Sequence, residues 1–342
     1  MSMKSLFFYF LRVGLWGEAE GPCPESLPEE TWQELFRMSC EQAVCGVWVD
    51  GVSQTACRPP ERLWTQWIFH TARIGQMNRW LRQVEERWLE NLRGQGMEGE
   101  VFKGSSAGRW YRKPLLRCYG DIDLVVWKGW ERLAGYLQAA GYRCVPEGGS
   151  WAMQDGQVSI EWHPCREFVY NPWINGRLQR MLRADRTGPE LYVVCLILHL
   201  RRHVLTYGIG LKQVCDVAVM LRRAPLDFGR LASLLQALHL ADFSGVLFGL
   251  LEKYLGGGFV FPVPPRRGRD VDLLDEIVWN EGYRLKMERE SLSACRSEFG
   301  RVRRNAWFWL GRSVRLCRWM PGEAFFFLCT KFVKRLAFRK KA

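Results

Sequence analysis

Gly120-Asp121-Ile122-Asp123-Leu124-Val125-Val126 decides how this chain is read. Two carboxylates head an apolar run of strand composition, and a glycine precedes them. Successive side chains of a strand point to opposite faces. Asp121 and Asp123 therefore share one face, and Ile122, Leu124 and Val126 share the other. Paired acids on an apolar strand are costly unless positive charge sits between them. A hard divalent cation, held by carboxylate oxygens and completed by a substrate's phosphates, meets that need. Two solvated acids at a strand entrance are the alternative, and the surrounding sequence decides between the two.

Upstream, Glu100-Val101-Phe102-Lys103 reads as a short strand ending at Gly104-Ser105-Ser106, a turn able to open a helix. Lys103, Gly104 and Ser105 thus combine a cation, a flexible turn and a helix start, which suits phosphate. Downstream, Glu131 to Ala140 has helical spacing with Gly141 as its C-terminal cap. Tyr142 to Val145 and Trp151 to Gln154 follow as short strands, and Asp155-Gly156 is a hairpin signal. It leads into Val158-Ser159-Ile160-Glu161-Trp162-His163. Alternation puts Val158, Ile160 and Trp162 on one face and Ser159, Glu161 and His163 on the other. If this strand neighbours the aspartate strand, Asp121, Asp123 and Glu161 converge on one surface. Three such acids suffice for two magnesium ions about 4 Å apart, placed for in-line displacement at phosphorus. His163 would share the face of Glu161 and orient it.

Outside this region the chain reads as helices. Leu6 to Leu15 is expected to be an amphipathic helix rather than a signal sequence, because Arg12 interrupts it and acidic Gly17-Glu18-Ala19-Glu20 follows. Thr31 and Glu34 resemble a capping box that opens a helix through Val44. Ile74, Met77, Leu81, Val84, Trp88 and Leu92 recur at the spacing of one buried helical face, which Gly94, Gly96 and Gly99 end. Leu191 to Arg223 is helical with a break at Gly208-Ile209-Gly210, and Leu226 to Leu240 and Phe243 to Leu255 follow. A Gly/Pro/Arg linker, Gly256 to Arg269, leads to two or three terminal helices. The Phe325-Phe326-Phe327-Leu328 run with Lys331, Lys334, Arg335, Arg339, Lys340 and Lys341 is expected to be a docked helix with a solvated basic face rather than a membrane contact.

The totals set the class. The chain has 342 residues, 48% of them hydrophobic, with 17 Trp, 19 Phe and 10 Tyr, which describes a folded protein with room for two or three domains. A net charge of +13 favours polyanionic partners. No stretch reaches the ~18–20 apolar residues of a membrane span. Twelve cysteines lie scattered without a CxxC, and the nearest pair, Cys40 and Cys45, has no second pair at zinc spacing. They read as reduced, cytosolic thiols. His199 and His203 share a helix face, but Leu200 stands where a zinc-protease glutamate would be, so these histidines read as core-edge residues near Asp216 or as cleft residues. Neither Ser105 nor Ser106 has the partners of a hydrolase triad.

Lys103-Gly104, Tyr111, Arg117, Gly120-Asp121-Ile122-Asp123-Leu124 and Glu161-Trp162-His163 occur here in that order. The series resembles an uncharacterised bacterial nucleotidyltransferase family of the DNA polymerase β-like superfamily. The N-terminal segment Leu11-Arg12 to Trp16-Gly17 and the later His199, His203 and Asp216 resemble it as well. The resemblance implies an α+β protein in which a small mixed sheet forms a polymerase β-like core. That core would span residues 97–171, between an N-terminal helical segment (1–96) and a C-terminal helical domain (172–342). It further implies metal-dependent transfer of a nucleoside monophosphate from an NTP to a hydroxyl acceptor. Asp121, Asp123 and Glu161 would be the catalytic and metal-binding acids for magnesium or manganese. Lys103, Gly104, Ser105, Arg117 and His163 would serve the nucleotide. The acceptor stays open among a small molecule, a protein hydroxyl and an RNA end. A catalytically silent module that binds nucleotide or RNA is the alternative; retention of all three acids argues against it.

Overall fold

The computed structural model describes the chain apart from residues 19–20, 148, 207, 281–297 and 340–342. It forms two compact units, Met1–Arg166 and Glu167–Ala342.

The first unit begins with helices. α1 (Met3–Trp16) buries Leu6 to Leu11 without interruption, and Val13 and Leu15 as well, so the expected amphipathic helix is instead enclosed nearly all round. Its partner is α3 (Cys45–Ser53), and glycines make the crossing close. A Cβ on Gly51 would lie 1.9 Å from the Phe10 carbonyl oxygen, and one on Gly14 would lie 2.0 Å from that of Val47. Between them in sequence, α2 (Glu29–Glu41) starts two residues before Thr31, with Pro28 at the N-cap and no side-chain cap. The expected capping box is therefore not used. Glu29 and Glu30 in the first turn complement the helix dipole in its place. Nor does α2 run through Val44: Ala43 takes φ +52° and turns the chain into α3.

α4 (Glu61–Gly94) is the long helix that covers the sheet. Its buried stripe runs Gly75, Asn78, Leu81, Val84, Glu85, Trp88, Leu92, whereas Met77, expected on that face, is 47% exposed. Asn78 holds the stripe position because its amide donates to the carbonyls of Leu115 and Arg117, both at 2.7 Å.

The sheet comprises β1 (Glu98–Val101), β2 (Ile122–Lys128), β3 (Val145–Glu147), β4 (Ser150–Asp155) and β5 (Val158–His163). Its spatial order is β1-β2-β5-β4-β3. The β2–β5 pair is parallel, and the other pairs are antiparallel. α5 (Gly104–Gly108) follows β1, and α6 (Trp130–Ala139) follows β2, ending before Gly141 at φ +84°. The hairpin at Asp155-Gly156 forms as expected, with Gly156 at φ +61°. Ile122, Leu124, Val126, Val158, Ile160 and Trp162 point into one core with Leu81, Val84, Trp88 and Leu92 of α4 and Leu133 and Leu137 of α6. That face of the sheet is thereby closed, and the polar residues of β2 and β5 stand on the other. Trp162 is fully buried edge-on to Trp88, at 5.3 Å and 83°. Trp162→Ala is expected to cost about 3–5 kcal/mol in denaturant unfolding, because the helix-to-sheet contact cannot collapse onto the space left.

The second unit is helical. It contains α7 (Pro172–Ala184), α8 (Pro189–Thr206), α9 (Leu211–Arg223), α10 (Phe228–Ala237), α11 (Ala241–Leu255), α12 (Arg269–Asn280), α13 (Glu298–Leu316) and α14 (Pro321–Arg339). The break at Gly208-Ile209-Gly210 falls between α8 and α9. α14 is a docked helix: Phe327 is fully buried against Tyr170 and Trp309, while Phe325 and Phe332 are exposed. Lys340 and Lys341 of the basic tail lie outside the described residues. Among the described residues no helix is long and apolar enough to cross a membrane.

Candidate active site

β2 is the second strand in from one edge, hydrogen-bonded on both sides, and this position buries Asp123 to 3% exposure. Parallel pairing sets Asp123 opposite Glu161, and the next side chain on that face of β5 is His163. One ligand atom from each of Asp123, Glu161 and His163 lies within 4.8 Å of the others. Asp121 precedes the strand and is exposed at its mouth, outside this group. The two aspartates thus occupy different environments. Asp123 is a central buried charge, not one of two solvated acids.

A buried carboxylate needs compensation, and two groups supply it. Lys103 places Nζ 2.6 Å from Asp123 Oδ1, and His163 Nε2 lies 3.0 Å from the same oxygen. Burial works against the charge on Asp123, but Lys103 and His163 together hold its carboxyl below the usual range. His163 is desolvated, which alone would depress it. Hydrogen bonds to Asp123 and to Glu161, whose Oε2 is 3.5 Å away, instead push it up to about 9. Protonated at neutral pH, His163 donates Nδ1–H to Ser150 Oγ at 2.7 Å. Its hydrogen bond also keeps Glu161 below the normal carboxyl range, against burial and the nearby Asp123.

Lys103 reaches this position through an unusual backbone. The amide of Phe102 donates to the Asp123 carbonyl at 2.9 Å, extending the β1–β2 ladder by one step. Lys103 then turns at φ +65°, ψ −135°, and Gly104 at φ +37° opens α5. Positive φ at lysine costs on the order of 1–3 kcal/mol. The ion pair with Asp123 and the enclosed Gly104 hold it. The neighbouring Ser105 hydroxyl donates to Glu85 Oε2 of α4. Glu85, on the buried stripe beneath this turn, has its carboxyl raised by burial, partly offset by that hydrogen bond.

Of the residues singled out in the sequence, the fold brings Lys103, Asp123, Glu161 and His163 together. Ser105 stands beside Lys103 but is engaged with Glu85. Arg117 is buried in the segment entering β2, with its guanidinium 5.5 Å from the Tyr119 ring centre. Ser150 and Glu85 carry no motif that marks them in the sequence. A lone acid inside the stripe Leu81, Val84, Trp88 was the available signal for Glu85. Ser150, which pairs across the sheet from a position with no motif, gave none. In the second unit, His199 meets Glu167 Oε2 at 3.0 Å and its ring lies 4.4 Å from that of His203. Arg202 binds the same Glu167 carboxylate. Asp216 is buried in α9.

A family model described as an uncharacterised nucleotidyltransferase matches residues 28–256. The chain belongs to this family. The matched span contains Lys103, Asp121, Asp123, Glu161 and His163, so the nucleotidyltransferase family's sequence pattern and the clustered acids fall on the same part of the molecule. Membership supports nucleotidyl transfer as the class of activity. Neither a curated protein nor a solved structure matches the chain.

Proposed function

We propose that this nucleotidyltransferase moves a nucleoside monophosphate from an NTP to a hydroxyl acceptor, using magnesium or manganese at Asp121, Asp123 and Glu161. We further propose that the five-stranded sheet is a polymerase β-like core. One observation carries the reading. Parallel pairing sets Asp123 against Glu161, and together they face two positive groups, Lys103 and protonated His163. Two positive charges on two carboxylates equal the charge of one divalent cation, and the oxygen donors suit a hard one. Asp121, at the mouth, adds an acid where a triphosphate and its ion would enter. Bound there, the cation would neutralise charge on the reacting phosphates and lower the pKa of the acceptor hydroxyl.

The chain's own groups then have separate tasks. The acceptor oxygen forms a bond to the α-phosphorus, the bond from that phosphorus to the bridging oxygen breaks, and pyrophosphate leaves. Glu161, ionised at neutral pH, takes the hydroxyl proton. His163 holds Glu161 and Asp123 in place and is itself held by Ser150. Lys103, paired with Asp123 here, would serve as the cation for the triphosphate, with the Gly104 and Ser105 turn beside it, and Arg117 would add a second positive charge from the segment entering β2.

Lys103→Ala separates these tasks. Without the ammonium, Asp123 is a buried charge with His163 alone, so the unliganded protein should melt lower in chelator. Magnesium should then restore more stability to this variant than to the parent chain. Triphosphate affinity should fall about tenfold, the value of one charge-assisted contact. Thermal melts with and without magnesium, together with nucleotide titration, read both effects. Unchanged nucleotide affinity would make Lys103 purely structural.

The proposal is tested by following label from α-labelled NTPs into a product. NTP binding without transfer would instead indicate the catalytically silent module.

A further inference from the structure

In the sequence Cys40 and Cys45 lack a second cysteine pair at zinc spacing, but the fold brings other ligands to them. Cys40 sits in the last turn of α2, and Cys45 is the first residue of α3. The bend between them turns on Ala43, with the Val44 amide donating to the Ser39 carbonyl at 2.9 Å. His70 comes from α4, and Cys118 comes from the segment that enters β2. Cys40, Cys45 and His70 each offer a ligand atom within 4.8 Å of the other two. Cys45 Sγ lies 3.6 Å from His70 Nε2 and 3.5 Å from Cys118 Sγ.

The two distances at Cys45 match neighbouring ligands of a tetrahedral ion; Cys118 stands outside the three-ligand cluster and meets it through Cys45. Zinc bonds of about 2.3 Å to sulfur and about 2.0–2.1 Å to nitrogen put neighbouring ligands about 3.8 Å apart for two sulfurs and about 3.6 Å for sulfur and nitrogen. A disulfide requires about 2.05 Å between sulfurs, far shorter than the Cys45–Cys118 approach. The His70 ring stands edge-on to Phe36, at 5.7 Å and 83°, which fixes its plane with Nε2 toward Cys45. Three thiolates and an imidazole are a soft donor set that selects zinc over the oxygen-seeking ions of the acid site.

We propose that Cys40, Cys45 and His70 hold one structural zinc ion, with the neighbouring Cys118 thiol closing in as the fourth ligand. Four protein ligands leave no open position, so the ion would tie elements together rather than act on a substrate. It joins α2, α3 and α4 to the segment that enters the aspartate strand, with Cys118 three residues before Asp121. The same segment is already held by Asn78 at the carbonyls of Leu115 and Arg117. Zinc binding would displace three thiol protons to solvent and leave three thiolates.

The test uses the full chain, expressed with added zinc, freed of any affinity tag and passed through a desalting column. Elemental analysis should find about one zinc per chain. Cobalt exchanged into the site should show intense tetrahedral ligand-field bands and thiolate-to-cobalt charge transfer. Cys40 and His70 are exposed, so Cys40→Ser and His70→Gln open no cavity in the core; each should lose most of the bound zinc, weaken the cobalt spectrum and lower the melting temperature. Asp123→Asn and Cys144→Ser should keep the zinc. A chain that emerges zinc-free and takes up no cobalt overturns the proposal. So does zinc retained in full by both Cys40→Ser and His70→Gln, or zinc lost from Asp123→Asn alone. A Cys45–Cys118 disulfide found by mass spectrometry of the freshly purified chain overturns it as well.

Discussion

Asp123→Asn should lower nucleotidyl transfer by about 10²–10³-fold or more, the loss expected when a group that stabilises developing charge is neutralised. Asp121→Asn should cause a loss of similar size, yet the two variants should differ in stability. Asp123 is buried between Lys103 and His163. Its replacement by a neutral amide leaves a partly buried ammonium facing an imidazolium, a loss of about 1–3 kcal/mol in unfolding free energy. Asp121 is exposed, so its variant should unfold like the parent chain. Activity assays run beside denaturant melts therefore give a pattern: both variants inactive, and one of them destabilised. Full activity in either variant would remove that residue from the site. Equal destabilisation of both would contradict the burial difference between them.

Glu161→Gln addresses the proton. If Glu161 accepts it, kcat should fall about 10²-fold, within the range for a general base, while nucleotide affinity stays within a factor of about two. Glutamine also fills the space of glutamate and preserves the β-strand, so folding should be unaffected. His163 provides an internal control. With the carboxylate gone, one of the two hydrogen bonds that push its pKa up to about 9 loses its charged acceptor, so that pKa should fall. A titration of the His163 resonance would report the change without any activity measurement. A loss of nucleotide affinity as large as the loss of rate would confine Glu161 to holding the ion and take the role of base from it.

Much of this site is legible in the sequence because strand alternation is a strong signal. Val158, Ile160 and Trp162 fix which face of β5 is buried, and Glu161 and His163 then have only one face left. The Asp-Gly turn and the cap at Gly141 are legible for the same reason: both depend on local backbone geometry. Pairing is not local. Nothing in the sequence states that β2 lies between β1 and β5, and that central position is what buries Asp123 and draws in Lys103. Asn78 and Glu85 are hidden because polar residues on a helical stripe look like solvent positions until their partners arrive, here the Leu115 and Arg117 carbonyls and Ser105. α1 differs from its expected amphipathic form because Gly14 and Gly51 let α3 approach so closely that little of its surface is left for water. Cys40 and Cys45 show no partners in the sequence because His70 and Cys118 come from distant segments that only the fold brings near.

The most direct measurement incubates the full chain with each α-labelled NTP, magnesium or manganese, and a cell extract, and follows the label into product. Divalent-dependent label transfer that Asp121→Asn eliminates is the expected result, with the acceptor class read from product size and from protease or nuclease sensitivity. Measurable NTP binding with no labelled product for any nucleotide or metal would contradict it and leave a silent nucleotide-binding module.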